Sequence, residues 1–104
     1  MQESQKVCKT SDVPPGTMKT VRIKSSVLAV ANIAGEFFVL DDTCTHEQCS
    51  LGTEGFLDEH TIICGCHGAN FDVRNGKVLA LPATGDLQTY VVRVLDGYVY
   101  IQIP

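Results

Sequence analysis

Cys44-Thr45-His46-Glu47-Gln48-Cys49 and, further on, Cys64-Gly65-Cys66-His67-Gly68 decide how this chain is read. Each segment pairs a cysteine with a histidine, at i and i+2 in the first and at i and i+3 in the second. Such pairs converge on a loop tip without help from a helix. Cys44, His46, Cys64 and His67 are therefore read as one metal site, each loop giving one sulfur and one nitrogen. Thiolates suit iron–sulfur chemistry, and neutral imidazole suits iron as well as zinc. A tetrahedral structural zinc is the competing reading, although zinc sites usually carry C-x2–4-C and H-x3–5-H pairs rather than a C-x-H arm. Gly65 and Gly68 are expected to permit close backbone approach and positive φ in the second loop.

Around these loops the chain reads as all-β. Short segments rich in Val, Ile, Phe and Tyr recur between turn signals. A first short strand near Val7 precedes the turn Val13-Pro14-Pro15-Gly16. Val21 and Ile23 alternate with Arg22 and Lys24, and residues 27–33 and 36–40 form a hairpin around Ala34-Gly35. Residues 61–64 lead into the second Cys/His pair. Asn75-Gly76, between 70–73 and 77–79, and Asp96-Gly97, between 89–95 and 98–103, both predict type I′ hairpin turns. No helical period persists over three turns, and residues 50–60 have room for one short turn only. Many short strands with evenly spaced turns suggest a small sandwich or barrel. One domain over residues 1–104 is expected, with a base from 5–40 and 84–103 and a metal-holding part over about 41–83.

The composition is that of an ordinary globular domain, with 44% hydrophobic and 19% charged residues. No apolar run approaches the roughly 18 residues of a membrane span. The polar start, Met1 to Lys6, lacks the apolar core of an export signal. A cytoplasmic, unanchored protein is expected, and in a reducing cytosol clustered Cys and His point to metal before disulfides. The net charge is −4, and between Lys24 and Arg74 there is no Lys or Arg. That window holds Glu36, Asp41, Asp42, Glu47, Glu54, Asp58, Glu59 and Asp72. It is read either as a solvated surface or as a field that steers a basic partner. Nucleic acid is excluded as a partner, since no basic stripe exists to neutralise phosphates. His60 is read as an exposed turn residue and Cys8 as a half-buried structural thiol.

The two boxes, C-T-H-x-x-C at 44–49 and C-x-C-H-G at 64–68, closely resemble the Rieske family, and the resemblance spans nearly the whole chain. It implies a three-sheet antiparallel β sandwich with a cluster-binding subdomain at one end. It implies one [2Fe–2S] cluster, with Cys44 and Cys64 on the buried iron and His46 and His67 on the outer iron. Replacing two thiolates by imidazoles raises the potential of such a cluster. Thr45, Gly65 and Gly68 then serve loop geometry, and Pro82 matches in position a proline loop that covers the cluster, a turn between strands being the equally compatible reading. Cys49 and Cys66 stand where one branch of the family ties its cluster loops with a disulfide.

Three departures separate the chain from the high-potential, quinol-oxidising branch. Ala69 stands in place of a serine, Phe71 in place of a tyrosine, and Glu47 in place of a leucine that shields the histidine edge. Hydrogen-bond donors to cluster sulfurs raise the potential, so their absence argues for a lower one. The resemblance thus implies a soluble ferredoxin: an electron-transfer protein, not an enzyme, passing single electrons from a reductase to a terminal oxygenase or similar acceptor. A Rieske subunit of a nitrite-reductase-like complex, a quinol-linked chain, a redox sensor built on Cys49 and Cys66, and a structural zinc domain are the alternatives.

Overall fold

The computed structural model describes residues 3–24, 26–42, 50–65, 69–80 and 86–103. Their strands form three antiparallel sheets, as the all-β reading requires. The first sheet has the order β1 (Glu3–Lys9), β11 (Tyr98–Ile103), β10 (Val92–Leu95). The second runs β2 (Thr17–Ile23), β3 (Ser26–Ile33), β4 (Glu36–Asp41), β9 (Thr89–Tyr90). The third runs β5 (Phe56–Asp58), β6 (Thr61–Ile63), β7 (Asn70–Asp72), β8 (Val78–Ala80). One four-residue helix, α1 (Leu51–Glu54), precedes the third sheet. Among the described residues no helix is long and apolar enough to cross a membrane.

Strand alternation explains the layering. Side chains of successive strand residues point to opposite faces. On β4, Phe37 and Val39 pack with Leu28, Val30, Val99 and Ile101 against the first sheet, whereas Phe38 and Leu40 pack with Ile62 and Phe71 against the third. The second sheet is therefore the middle layer, with a core on each side. Its strand β3 is buried from Leu28 to Asn32, which is why its sequence is a continuous apolar run rather than an alternating one. Phe71 is fully buried in the second core, and burial of a side chain of that kind contributes roughly 1.5–3 kcal/mol. The buried amide of Asn32 is satisfied, donating to the Val13 carbonyl at 2.7 Å and accepting from the Gly35 amide at 2.9 Å.

Two turns and one strand crossing show how far local signals reach. Asp96 and Gly97 both take positive φ, 52° and 81°, and Leu95 pairs directly with Tyr98, the two-residue I′ hairpin read from the sequence. Asn75-Gly76 is different. Only Gly76 has positive φ, and the link runs from Asp72 to Val78, with the Gly76 amide donating to the Asp72 carbonyl at 2.7 Å. The Asn75 side chain caps that longer loop by accepting from the Lys77 amide at 3.0 Å. Residues 89–95 do not form one strand either. The chain leaves the middle sheet after Tyr90 and enters the first sheet at Val92, with exposed Val91 at the crossing.

Candidate metal centre

Of the four expected ligands, Cys64 lies within the described residues; Cys44, His46 and His67 lie outside them, as do Thr45, Cys49, Cys66, Gly68 and Pro82. Cys64 directly follows β6, is fully buried and carries no disulfide. Its amide donates to the carbonyl of Ala69 at 2.7 Å, which closes the base of the 65–68 loop. Gly65 has no positive φ. Its role is approach: a Cβ there would overlap the carbonyl oxygen of Glu54 at the end of α1. The expectation of close approach therefore holds at Gly65, and that of positive φ does not.

The segment 43–49, which carries the other Cys/His pair, is closed at its base by Asp42. The Leu51 amide donates to the Asp42 carbonyl at 2.7 Å, and the Asp42 amide donates to the Val27 carbonyl at 3.0 Å. The Asp42 side chain is 2% exposed. Its Oδ2 accepts from the Ser50 hydroxyl at 2.5 Å; its Oδ1 accepts from the Gly52 amide at 2.7 Å and the Thr20 hydroxyl at 3.0 Å. Gly52 has no room for a side chain, since a Cβ would overlap the Thr20 hydroxyl. Ser50 also caps α1, accepting from the Thr53 amide at 3.3 Å.

The third segment, 81–85, has its own closure. The Val78 amide donates to Asp86 Oδ1 at 2.9 Å, and the Leu87 amide donates to the Gly76 carbonyl at 2.7 Å. Just beyond, the Asp41 amide donates to the Gln88 carbonyl at 2.9 Å and the Tyr90 hydroxyl donates to Asp41 Oδ1 at 2.7 Å. Burial and the Asp41 carboxylate push the Tyr90 phenol up to about 12. The roots of all three segments meet in one core: Leu51, Cys64, Ala69 and Leu87 are buried in the same cluster as Phe71. The Ala69 and Phe71 side chains offer no hydroxyl or N–H group there.

Among the described residues the acidic window is not a uniform surface. Asp42 is buried, Asp41 is bound to Tyr90, and Asp72 is bound by Arg74 at 2.8 Å, which holds its carboxyl below the usual range. Glu36, Glu54, Asp58 and Glu59 remain exposed. His60 departs from expectation. It is half-buried, its ring edge-on to Phe38 with centroids 5.9 Å apart, and its carbonyl accepts from the Val73 amide at 2.9 Å. Cys8 is half-buried as expected, and burial pushes its thiol up, with Asp12 adding to the effect. A groove of about 220 Å³ lined by Phe38, Arg74 and Tyr90 lies beyond the end of β7 opposite Ala69.

A donor set of two thiolates and two imidazoles fits a [2Fe–2S] centre with mixed ligation. The buried Cys64, followed by a Gly65 packed against the α1 backbone, is a fit for a ligand on the inner side of such a centre. The Rieske [2Fe-2S] domain model matches residues 3–91. The 3-phenylpropionate/cinnamic acid dioxygenase ferredoxin subunit of Escherichia coli (strain K12) is 42% identical over 99 residues, covering 93% of this chain and 91% of the relative. The Sphingomonas yanoikuyae B1 ferredoxin superposes with a TM-score of 0.91 at 36% identity, covering 98% of this chain and 100% of that one. A ferredoxin-type chain in the complex of reduced oxygenase and oxidized ferredoxin in carbazole 1,9a-dioxygenase is similar at a TM-score of 0.86 and 40% identity, covering 94% of this chain and 91% of that chain.

Proposed function

This chain belongs to the Rieske [2Fe–2S] domain family, and on that premise we propose that it is the ferredoxin component of an oxygenase system. It carries single electrons from a reductase to a terminal oxygenase and performs no bond chemistry itself. The observation that carries this reading is the 42% identity to a dioxygenase ferredoxin subunit over 91% of that relative's length. The carbazole dioxygenase complex, in which a similar chain is seen with an oxygenase, supports the acceptor. A cytoplasmic location goes with that role.

Cys44, His46, Cys64 and His67 are the proposed ligands of one [2Fe–2S] cluster. When bound, the cluster supplies reversible one-electron chemistry at a potential set by its ligands and surroundings. The chain's own residues fix the rest. The Cys64–Ala69 hydrogen bond and the Asp42 bonds to Ser50, Leu51 and Gly52 hold the roots of the two ligand loops on one buried core. Thr45, Gly65 and Gly68 shape the loops, Cys49 and Cys66 are proposed as a disulfide between them, and Pro82 as part of a covering segment. Ala69 and Phe71 leave the centre without hydroxyl donors at two positions, which favours a low potential. The whole is proposed as one domain, with residues 5–40 and 84–103 as the base.

Anaerobic titration with dithionite tests the carrier reading. One electron taken up per chain, and returned in a second-order reaction with a Rieske oxygenase, is the expected result. A chain that takes up no electrons, or binds zinc in place of iron, would remove it.

A further inference from the structure

Asp42 does more than close a loop. It is a carboxylate at 2% exposure, buried beside the root of the first ligand segment and two residues before Cys44. Its side-chain contacts among the described residues are all donors: the hydroxyls of Ser50 and Thr20 and the amide of Gly52. Among those residues no Lys, Arg or His forms an ion pair with it. Three donors match the acceptor-only, charged form of the group and fix where the charge sits. A fixed negative charge in a low-dielectric interior acts on its surroundings far more strongly than one in water. Reduction adds a negative charge to the proposed centre, so a buried anion two residues along the chain from a proposed ligand opposes that electron.

We infer that Asp42 is a positioning residue that also acts electrostatically. Its buried charge, clasped by Thr20, Ser50 and Gly52, holds down the reduction potential while it fixes the base of the Cys44–His46 segment. This rests on the reading that Cys44 and His46 ligate the cluster. It adds a second cause of low potential, independent of the hydroxyls missing at Ala69 and Phe71. It also gives a reason for a carboxylate where an amide would clasp the loop as well. An Asn at this position accepts from Gly52 and Thr20, and the Ser50 hydroxyl can rotate to accept from its amide nitrogen.

Asp42→Asn therefore removes the charge and keeps the clasp, whereas Ser50→Ala keeps the charge and removes its shortest hydrogen bond. Redox titrations of the two holoproteins and the wild type read the potential. Hydrogen exchange of residues 50–52 reads the clasp. Asp42→Asn is expected to raise the potential with exchange near that of the wild type. Ser50→Ala is expected to speed exchange and to lower the potential, because the carboxylate loses a donor that partly neutralises it. An unchanged or lower potential in Asp42→Asn, with its cluster intact, overturns the inference. So does a rise in Ser50→Ala equal to that in Asp42→Asn, since loosening alone would then be the cause. Should Asp42→Asn fail to assemble a cluster, Ser50→Ala decides: a lower potential supports the inference, and an equal or higher one overturns it. A wild-type protein with no Rieske signal would instead defeat the functional reading itself, which keeps the two failures apart.

Discussion

The amide of Cys64 and the carbonyl of Ala69 are hydrogen-bonded at 2.7 Å across the loop they bracket. Both side chains are fully buried, in the core that also holds Phe71. The proposed ligand is thus seated against two side chains that carry no hydroxyl. Oxygen donors at these two positions would stabilise the more negative, reduced centre.

Ala69→Ser combined with Phe71→Tyr is accordingly expected to raise the midpoint potential in a redox titration. In the metal-free protein the same pair should be destabilising, by about 1–3 kcal/mol for each new hydroxyl that finds no partner. A potential that does not move would mean that neither position faces the centre.

Gly65→Ala tests the contact between the second loop and α1. The added Cβ overlaps the Glu54 carbonyl oxygen, which is backbone and has no rotamer to escape into. Overpacking of this kind costs on the order of 1–3 kcal/mol. Denaturant unfolding should show that loss, and iron content should fall with it. Wild-type stability in the variant would show that α1 does not confine the loop.

Tyr90 makes a prediction at high pH. Its phenol is raised to about 12 in the folded protein, above the unfolded value of about 10. Its contribution to stability is therefore complete below about pH 10 and is lost as pH rises toward 12. Tyr90→Phe should cost about 0.5–1.5 kcal/mol near neutral pH and remove that part of the alkaline decline. Identical alkaline unfolding curves for the two proteins would contradict the Tyr90–Asp41 bond.

Much of this was legible in the sequence, for physical reasons that differ by element. The β3–β4 hairpin announces itself because strand β3 is an apolar run and Ala34-Gly35 supplies the turn after it; that its sheet is the middle layer is set by the fold. Asp96-Gly97 works as a local signal because both residues of a two-residue turn need positive φ. Asn75-Gly76 misleads because the same dipeptide also suits a longer loop in which Asn75 takes negative φ and caps with its side chain. Strand β5, three residues long, is too short to show alternation and exists through pairing with β6. Asp42 lay hidden among neighbouring acids. Charge is visible in a sequence, whereas the burial and donors contributed by Thr20, Ser50 and Gly52 are set by the fold. The half-burial of His60 against Phe38 is likewise a contact between distant segments.

Of the acidic window between Lys24 and Arg74, Glu36, Glu54, Asp58 and Glu59 are exposed among the described residues and available to steer a partner. The Glu54 backbone stands directly against Gly65, next to the proposed ligand Cys64. The rate of electron transfer with the reductase should fall as salt rises, since screening acts on exposed charges. Glu54→Lys should lower that rate several-fold at low salt and flatten the salt dependence. A wild-type rate indifferent to salt would leave these residues as solvated surface.

The most direct measurement is a redox titration of the anaerobically purified protein, followed by EPR of the reduced form and repeated across pH. Rieske centres span roughly −150 to +300 mV. The expected result is a reduced-state signal of a mixed-ligand [2Fe–2S] centre, a midpoint in the lower part of that range, and a potential that falls at high pH as the histidine ligands lose protons. A protein with no such signal, and with zinc where iron is expected, would contradict it.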